Sequence, residues 1–513
     1  MSFLPVSCSR ATTIQLPQLL HSKSNVVNKS QSRLLFMERK RIDKSIDQTV
    51  SWTSSIANYC RNGMLSEAVE EFSRMRLAGV EPNDITLVTL LSCCAHFPCK
   101  AYFLGVLLHG YILKFGFDKN NVMLWTALVD MYSKCRCMGF ARKLFDEMCM
   151  KNTRSWNTMI DGYMKNGDVE SAVLLFDEMP VRDKISWTAL INGFVKRGLF
   201  NEALECFQDM QQSGVEPDHV TIISVLSACA NLGVLGLGIW MHYYAMKCGF
   251  DKNIRVRNSL IDMYSRCGCI EFARQVFQNM DTRSVVSWNS MIVGLAINGY
   301  AEDALEHFYL MQRHGFKPDG VSFTGALTAC SHAGLVEKGH ELYTTMTKVY
   351  QINPRIEHYG CLVDLLSRAG WLEDAFSVIE SMPMKHNEVI LGSLLASCRT
   401  HGNISLAERL TRYLFDSELS SDSNYVTLSN MYAAVGRWDG VGKVRRTMKA
   451  HGISKRPAVS AIEVHCSIHE FMAGDKSHID SKNIYAILDQ LSVELGEYGY
   501  VPETNVEDLT EYG

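Results

Sequence analysis

Four short stretches of this chain repeat one frame with one residue exchanged: SWTSSI from Ser51, SWNTMI from Ser155, SWTALI from Ser186 and SWNSMI from Ser287. The exchanged position is Thr in two of them (Thr53, Thr188) and Asn in the other two (Asn157, Asn289). Both residue types do directed hydrogen-bond chemistry. A hydroxyl is donor and acceptor on one atom, and a carboxamide holds its donors and acceptor in fixed geometry. Both are also common where a helix starts, satisfying free backbone N–H groups. On residue types alone that structural role is the simpler one, and it predicts no coordination with a residue about 30 positions downstream.

The elements that must position these residues form an internal repeat, which has to be settled before any other question of fold. Aligned on the Ser-Trp frame, units start at Thr49, Asp84, Val122, Thr153, Lys184, His219, Ile254, Val285, Gly320 and Ile356. Each contains two helical patterns separated by a turn, marked by Gly63, Gly167, Gly198, Gly268, Gly299 or Gly370, where a left-handed residue ends a helix cheaply. The second pattern returns to a triplet at i, i+4 and i+7: Ala68/Phe72/Met75, Ala141/Phe145/Met148, Ala172/Phe176/Met179, Ala203/Phe207/Met210, Ala273/Phe277/Met280 and Ala304/Phe308/Met311. That spacing puts all three on one face, Ala permitting close approach while Phe and Met fill the gap. A lone hairpin cannot bury such a face, so the units must stack. The expectation is an all-α fold, an α-solenoid superhelix of helical hairpins. Several units close on a Pro and a polar residue (GVEPN to Asn83, GVEPD to Asp218, GFKPD to Asp319), which places that last residue at the seam between units.

Composition agrees with a long folded array. The 513 residues exceed one compact core, 47% are hydrophobic, 21% are charged, and no apolar run reaches membrane-spanning length. A net charge of −4 argues against a polybasic nucleic-acid binder, whose affinity comes from neutralising phosphates. The 17 cysteines are scattered, mostly in apolar helical stretches, and none is spaced C-x-x-C. They read as small buried hydrophobes in a reducing compartment. Residues 1–37 hold nine Ser/Thr, four basic residues (Arg10, Lys23, Lys29, Arg33) and no acid before Glu38, the composition of an organelle transit peptide; Ser-richness favours plastid over mitochondrion.

Hairpins of this length fit tetratricopeptide and pentatricopeptide repeats alike. The W-x2-L-G-x2-Y pattern of the first kind is missing, and SWNSMIVGLAINGYAEDALEHFYLMQRHGFKPD (Ser287 to Asp319) resembles a plant pentatricopeptide unit nearly throughout. The resemblance covers roughly residues 49 to 500. Alternating long units (from His219 and Gly320) and short ones (from Ile254) resemble the PLS subclass, which implies service in organellar C-to-U RNA editing. Ten repeats fill 49–387, two degenerate E-type repeats 388–455 and an E+-like extension 456–513, behind a transit segment at 1–45.

That resemblance implies a code of one base per unit, read by the fifth and last residues. Carried over, Thr53 with Asn83 implies A, Thr126 with Asn152 A, Asn157 with Asp183 U, Thr188 with Asp218 G, Asn258 with Ser284 C, and Asn289 with Asp319 U. Val88, Ile223, Thr324 and Gly360 stand at the fifth place of the remaining units, whose bases stay unassigned. The implied target is 5′-A-N-A-U-G-N-C-U-N-N, read parallel to the chain, with the edited cytidine about four nucleotides beyond the base under the last short unit. Val50, Ile185 and Val286, one turn earlier, either sandwich bases or serve as packing residues.

Cytidine deamination needs a zinc-bound water and a Glu, in an H-x-E…P-C-x-x-C pattern. The chain has one H-x-E, His386 to Glu388, with no paired cysteines downstream, and it ends at VEDLTEYG. The expectation is a non-enzymatic factor without cofactor or metal, supplied in trans with a DYW-type cytidine deaminase and multiple organellar RNA editing factor proteins. Glu463, Phe471, Gly474, Asp475 and His478 match the extension's pattern for partner recruitment. Pro457-Ala458 and Ser460-Ala461-Ile462-Glu463 lack that pattern's usual Gly and Trp. Two other roles share the same repeats: an organellar RNA-binding protein in splicing, stability or translation, and a protein-binding scaffold.

Overall fold

The computed structural model describes residues 48–117, 120–384, 388–416, 422–453, 459–464, 467–472 and 475–498. The transit segment and His386 lie outside them. Helices α1 (48–61), α2 (Leu65–Leu77), α3 (Asp84–His96), α4 (Pro98–Phe115), α5 (Val122–Lys134), α6 (Met138–Glu147), α7 (Thr153–Asn166) and α8 (Val169–Asp177) form one compact unit ending at Met179. A second begins at Pro180. Its hairpins are α9 (Lys184–Arg197) with α10 (Phe200–Gln212), α11 (His219–Leu232) with α12 (Leu235–Lys247), α13 (Ile254–Arg266) with α14 (Ile270–Gln278), and α15 (Val285–Ile297) with α16 (Ala301–Arg313). Then follow α17 (Gly320–Ala333) with α18 (Val336–Thr344), α19 (Ile356–Arg368) with α20 (Leu372–Ser381), α21 (Glu388–Thr400) with α22 (Ile404–Asp416), and α23 (Asp422–Ala434) with α24 (Trp438–Ala450).

Local chemistry sets these boundaries. The first helices of successive hairpins begin at Asp84, Val122, Thr153, Lys184, His219, Ile254, Val285, Gly320 and Ile356. Asn83, Asn152, Asp183, Asp218, Ser284 and Asp319 each stand immediately before one and accept a hydrogen bond from a backbone N–H of its first turn. The turn glycines Gly63, Gly167, Gly198, Gly268, Gly299 and Gly370 all have φ between +74° and +93°, the left-handed conformation that closes a helix without a Cβ clash.

Within each unit the first helices form one layer, α3 on α5 on α7 and then α9 through α23 in turn, while each second helix packs on the first helices beside it. The Ala/Phe/Met triplets are buried in all six hairpins that carry them. Layer contact is close enough to forbid a Cβ at certain points: one added to Gly294 would stand 2.2 Å from Ser265 Oγ, and one on Gly162 2.8 Å from Ser133 Cβ. Asn298 and Asn166 lock the same places, each donating its amide to the carbonyl of Ser265 or Ser133 on the neighbouring helix at 2.8 Å.

Beyond α24 the chain departs from an all-helical expectation. Strands β1 (Val459–Val464) and β2 (Ser467–Met472) pair antiparallel, with Ser460 opposite Phe471 and Ile462 opposite His469. These segments are short and carry Val459, Ile462, Val464, Ile468 and Phe471, residue types that favour strands. Helix α25 (Ser481–Glu497) follows and has no buried residue. No described helix is long and apolar enough to cross a membrane.

The cysteines only partly follow the expectation of burial. Cys93, Cys94, Cys206, Cys229, Cys330 and Cys398 are buried, six others are half-buried, and Cys149 and Cys248 are exposed; none of these is in a disulfide. Burial pushes the Cys94 and Cys398 thiols up to about 12, which leaves them protonated and inert.

The tight layer contact sets a test. Gly294→Ala must displace Ser265 and is expected to lower the thermal midpoint, whereas Gly139→Ala in α6 meets nothing within 4 Å and should raise stability by about 1 kcal/mol, from helix propensity alone. Circular-dichroism melts of the two variants would read opposite shifts.

Candidate nucleic-acid interface

A first helix is buried on three sides by its neighbours and by its second helix, leaving one stripe open. In α5 that stripe carries Met123, Asp130 and Lys134, spaced i, i+7 and i+11. Its first position, the second residue of each unit, is apolar and exposed in several units: Val50 is 54% exposed, Ile185 58% and Val286 57%. They are not core packing residues. Ile85, Met123 and Val321 are exposed at the same place, and sequence reasoning had passed over them although the unit alignment marks their position. Arg154, Arg255 and Glu357 hold it in other units.

The end of the stripe carries a row of cations that sequence reasoning also missed. Lys134, Lys165, Arg266 and Arg368 pair with Asp130, Asp161, Asp262 and Asp364, one turn earlier, at 2.8, 2.5, 3.1 and 2.9 Å. The recurrent strings DMYSK, DGYMK, DMYSR and DLLSR held the signal. Basic residues in a last turn also suit the helix dipole.

The exchanged Thr/Asn positions lie at the edge of this stripe, on the second turn of each first helix and turned into the seam. Thr53, Thr126, Thr188, Asn258 and Asn289 are all less than a tenth exposed, and Asn157 is half-buried. They do not cap their own helices; the preceding unit's last residue does that. Hence the helix-start explanation fails for the fifth residue and holds for the last one.

At three seams the structure coordinates the two residues through a third. Asn289 Nδ2 donates to Asp319 Oδ1 at 2.9 Å, while Ser322 Oγ donates to Asn289 Oδ1 at 2.6 Å. Thr188 Oγ1 lies 2.7 Å from Thr221 Oγ1, which is 3.1 Å from Asp218 Oδ1. Thr53 Oγ1 lies 2.7 Å from Thr86 Oγ1, which donates to Asn83 Oδ1 at 2.8 Å. Thr86, Thr221 and Ser322 share the place of the Ser in the Ser-Trp frame, and each belongs to a long unit. Their cap role is a capping box at Asp218 and Asp319.

Two other pairs, Thr126 with Asn152 and Asn258 with Ser284, are not joined in this way. Ser155 Oγ turns back to the Asn152 carbonyl at 2.8 Å, and Ser287 Oγ lies 3.1 Å from Ser284 Oγ. Asn157 belongs to the first compact unit and Asp183 to the second. The side-chain oxygens of Thr126, Asn157 and Asn258 are buried with no hydrogen-bond partner among the described residues. A buried orphan acceptor costs about 1–3 kcal/mol.

The C-terminal candidates cluster in part. His478 Nδ1 accepts the Asp480 N–H at 3.1 Å, so its Nε2 carries the proton and donates to His469 Nδ1 at 2.9 Å. Phe471 lies against the His478 ring with centroids 5.3 Å apart. Hydrogen bonds from the Ser477 hydroxyl and N–H hold the Asp475 carboxyl below its ordinary range, and the Asp475 carbonyl accepts from Tyr485 Oη. Glu463 lies on β1 opposite Ile468; Gly474 is outside the described residues. No group of three or more His, Cys, Asp or Glu among the described residues is placed to hold a metal ion.

Comparison with known proteins agrees with this anatomy. Family models described as PPR repeat match residues 123–153, 154–183, 256–285 and 357–386, and one described as PPR repeat family matches 47–96, 182–231 and 283–332. The E motif matches residues 401–463 and the E+ motif 468–495. A chloroplastic pentatricopeptide repeat-containing protein of Arabidopsis thaliana is 59% identical over 464 residues, which are 90% of this chain and 93% of the relative. Another chloroplastic relative from the same plant, ELI1, is 45% identical over 464 residues, 90% of this chain and 72% of its own length. The crystal structure of the pentatricopeptide repeat protein PPR10 from maize superposes with a TM-score of 0.51 at 18% identity, covering 78% of this chain and 64% of that one, a likeness of fold. With its stacked hairpins, its closing motifs and a relative matched over nearly its whole length, this chain belongs to the pentatricopeptide repeat family.

Proposed function

We propose that this protein is a sequence-specific single-stranded RNA-binding factor for plastid C-to-U editing. It selects its cytidine by reading one base per repeat and brings in a DYW-type deaminase in trans, together with multiple organellar RNA editing factor proteins. The observation that carries the reading is the seam: the fifth residue of a unit and the unit's last residue, about 30 positions apart in sequence, meet at 2.9 Å in Asn289 and Asp319. Helix capping alone would not bring them together.

The exposed stripe supports the same reading. Val50, Ile185 and Val286 offer apolar faces on which bases stack, and stacking contributes about 1–3 kcal/mol per base. The cation row offers charge for phosphates although the whole chain is acidic. Membership of a family with chloroplastic relatives and the Ser-rich, acid-free leader support a plastid destination. The E and E+ matches support partner recruitment through Glu463, Phe471, Gly474, Asp475 and His478.

Two experiments test this. In gel shifts with RNA carrying A-N-A-U-G-N-C-U-N-N, Asn289→Thr is expected to move preference at the eighth base from U to G, with a mismatch costing about 1–3 kcal/mol; an unmoved preference would sink the code. In plastid cDNA of plants lacking the protein, the target cytidine stays unconverted. Complementation with a chain lacking residues 388–513 should leave RNA bound and the site unedited. Phe471→Ala and His478→Ala, which leave the repeats intact, are expected to act in the same direction; restored editing by both would overturn the recruitment role.

A further inference from the structure

Of the three side chains that meet at a joined seam, the two-residue code uses two. The third is the hydroxyl of Thr86, Thr221 or Ser322, the third residue of the following long unit. We propose that this hydroxyl is a specificity-determining residue: it holds the fifth side chain of the preceding unit in one polarity toward a base, donor or acceptor. The proposal rests on the base-reading role of the fifth residue and deepens it.

Proton counting gives the polarity. Ser322 has one proton, and Asn289 Oδ1 can only accept, so the 2.6 Å contact commits that proton to Asn289. The amide is thereby locked against a flip: its oxygen is engaged by Ser322, and one N–H goes to Asp319 Oδ1 at 2.9 Å. What remains for a base is the second N–H, a donor. Uracil answers with the carbonyl oxygens O2 and O4.

At the threonine seams the outcome is reversed. Thr188 Oγ1 sends its proton to the Lys184 carbonyl at 2.7 Å, and Thr53 Oγ1 reaches the Thr49 carbonyl at 2.8 Å. At Thr188 the 2.7 Å hydroxyl pair is then donated by Thr221, whose other acceptor, Asp218 Oδ1, lies farther off at 3.1 Å. At Thr53 the one Thr86 proton serves Asn83 Oδ1 at 2.8 Å or Thr53 Oγ1 at 2.7 Å, and in either case the Thr53 proton is spent inside the seam, on the Thr49 carbonyl or on Thr86. The threonine oxygen has spent its proton and offers a base its remaining lone pair, an acceptor. The amino and imino N–H groups on purine edges fit it. At the asparagine seam the hydroxyl locks the amide as a donor; at the threonine seams it reinforces an acceptor polarity that the i−4 carbonyl has already set.

An internal control comes from the seams where the hydroxyl looks elsewhere. Ser155 donates to the Asn152 carbonyl, and Thr126 Oγ1 has no partner among the described residues. Polarity at Thr126 is not set by the neighbouring serine.

The test measures base preference, not affinity alone, in the full chain. Four RNAs differing only at the eighth base are titrated against wild type, Ser322→Ala, Ser322→Thr and Asn289→Thr. Ser322→Ala frees the amide to flip, and the preference for U is expected to fall roughly two- to tenfold, the worth of one hydrogen bond; Ser322→Thr should restore it. Ser155→Ala, read at the third base, should leave preference unchanged. Thr221→Ala with Thr221→Ser, read at the fifth base, repeats the comparison should Ser322→Ala melt early. Unchanged preference in Ser322→Ala and Thr221→Ala, or an equal loss in Ser155→Ala, overturns the proposal. If Asn289→Thr shifts preference while Ser322→Ala does not, this inference fails alone; if Asn289→Thr shifts nothing, the reading beneath it fails too.

Discussion

The structure depends on one shared duty: the residue that ends each unit is also the N-cap of the next first helix. Asn, Asp, Ser and Thr are the preferred caps, with a side-chain oxygen on a backbone N–H, and Asn83, Asn152, Asp183, Asp218, Ser284 and Asp319 meet that preference, while Arg355 stands at the same place before α19. On the proposed code, reading and folding draw on the same small alphabet. A Val at such a position would cost about 1 kcal/mol of helix stability before any ligand is considered. The seam vocabulary is narrow for this physical reason, and discrimination has to come from the combination with the fifth residue and with what holds it.

Most of the fold was legible because periodicity and punctuation agreed. The turn glycines were placed from sequence and have the positive φ they imply; the Ala/Phe/Met triplets sit in the core. The β-hairpin at Val459–Met472 was not read, since its residues entered only through a family pattern and two strands of six residues carry little periodic signal. At the site, residue identity was legible and geometry was not. Nothing in the string SWNSMI says that the Ser of the next unit reaches back across 33 positions to the Asn. That contact depends on how far apart adjacent first helices sit, which Gly325 sets here: a Cβ on it would stand 2.9 Å from Ile292 Cγ2 of the neighbouring helix.

The two kinds of seam follow the two kinds of linker. Pairs joined through a hydroxyl precede long units and end in GVEPN, GVEPD or GFKPD. Proline fixes an extended approach there, and the following Thr86, Thr221 or Ser322 lands on the neighbour. Seams within runs of short units lack that proline spacer, and their serine folds back on its own cap. The long and short alternation thus alternates side chains with a preset polarity and side chains whose oxygens wait unpaired.

Electrostatics divides the labour further. A chain of net charge −4 cannot hold a polyanion by bulk attraction. Lys134, Lys165, Arg266 and Arg368 are each engaged by an Asp one turn away, and exposed pairs of this kind are worth well under 1 kcal/mol to folding. Their value is positional: the carboxylate orders a flexible cation on the open stripe and must be displaced or shared when a phosphate arrives. On the proposed reading, each phosphate contact would be weakened by that competition. Affinity then has to be collected from stacking on the exposed apolar positions and from hydrogen bonds at the seams. On the proposed reading, telling one base from another falls to the seams.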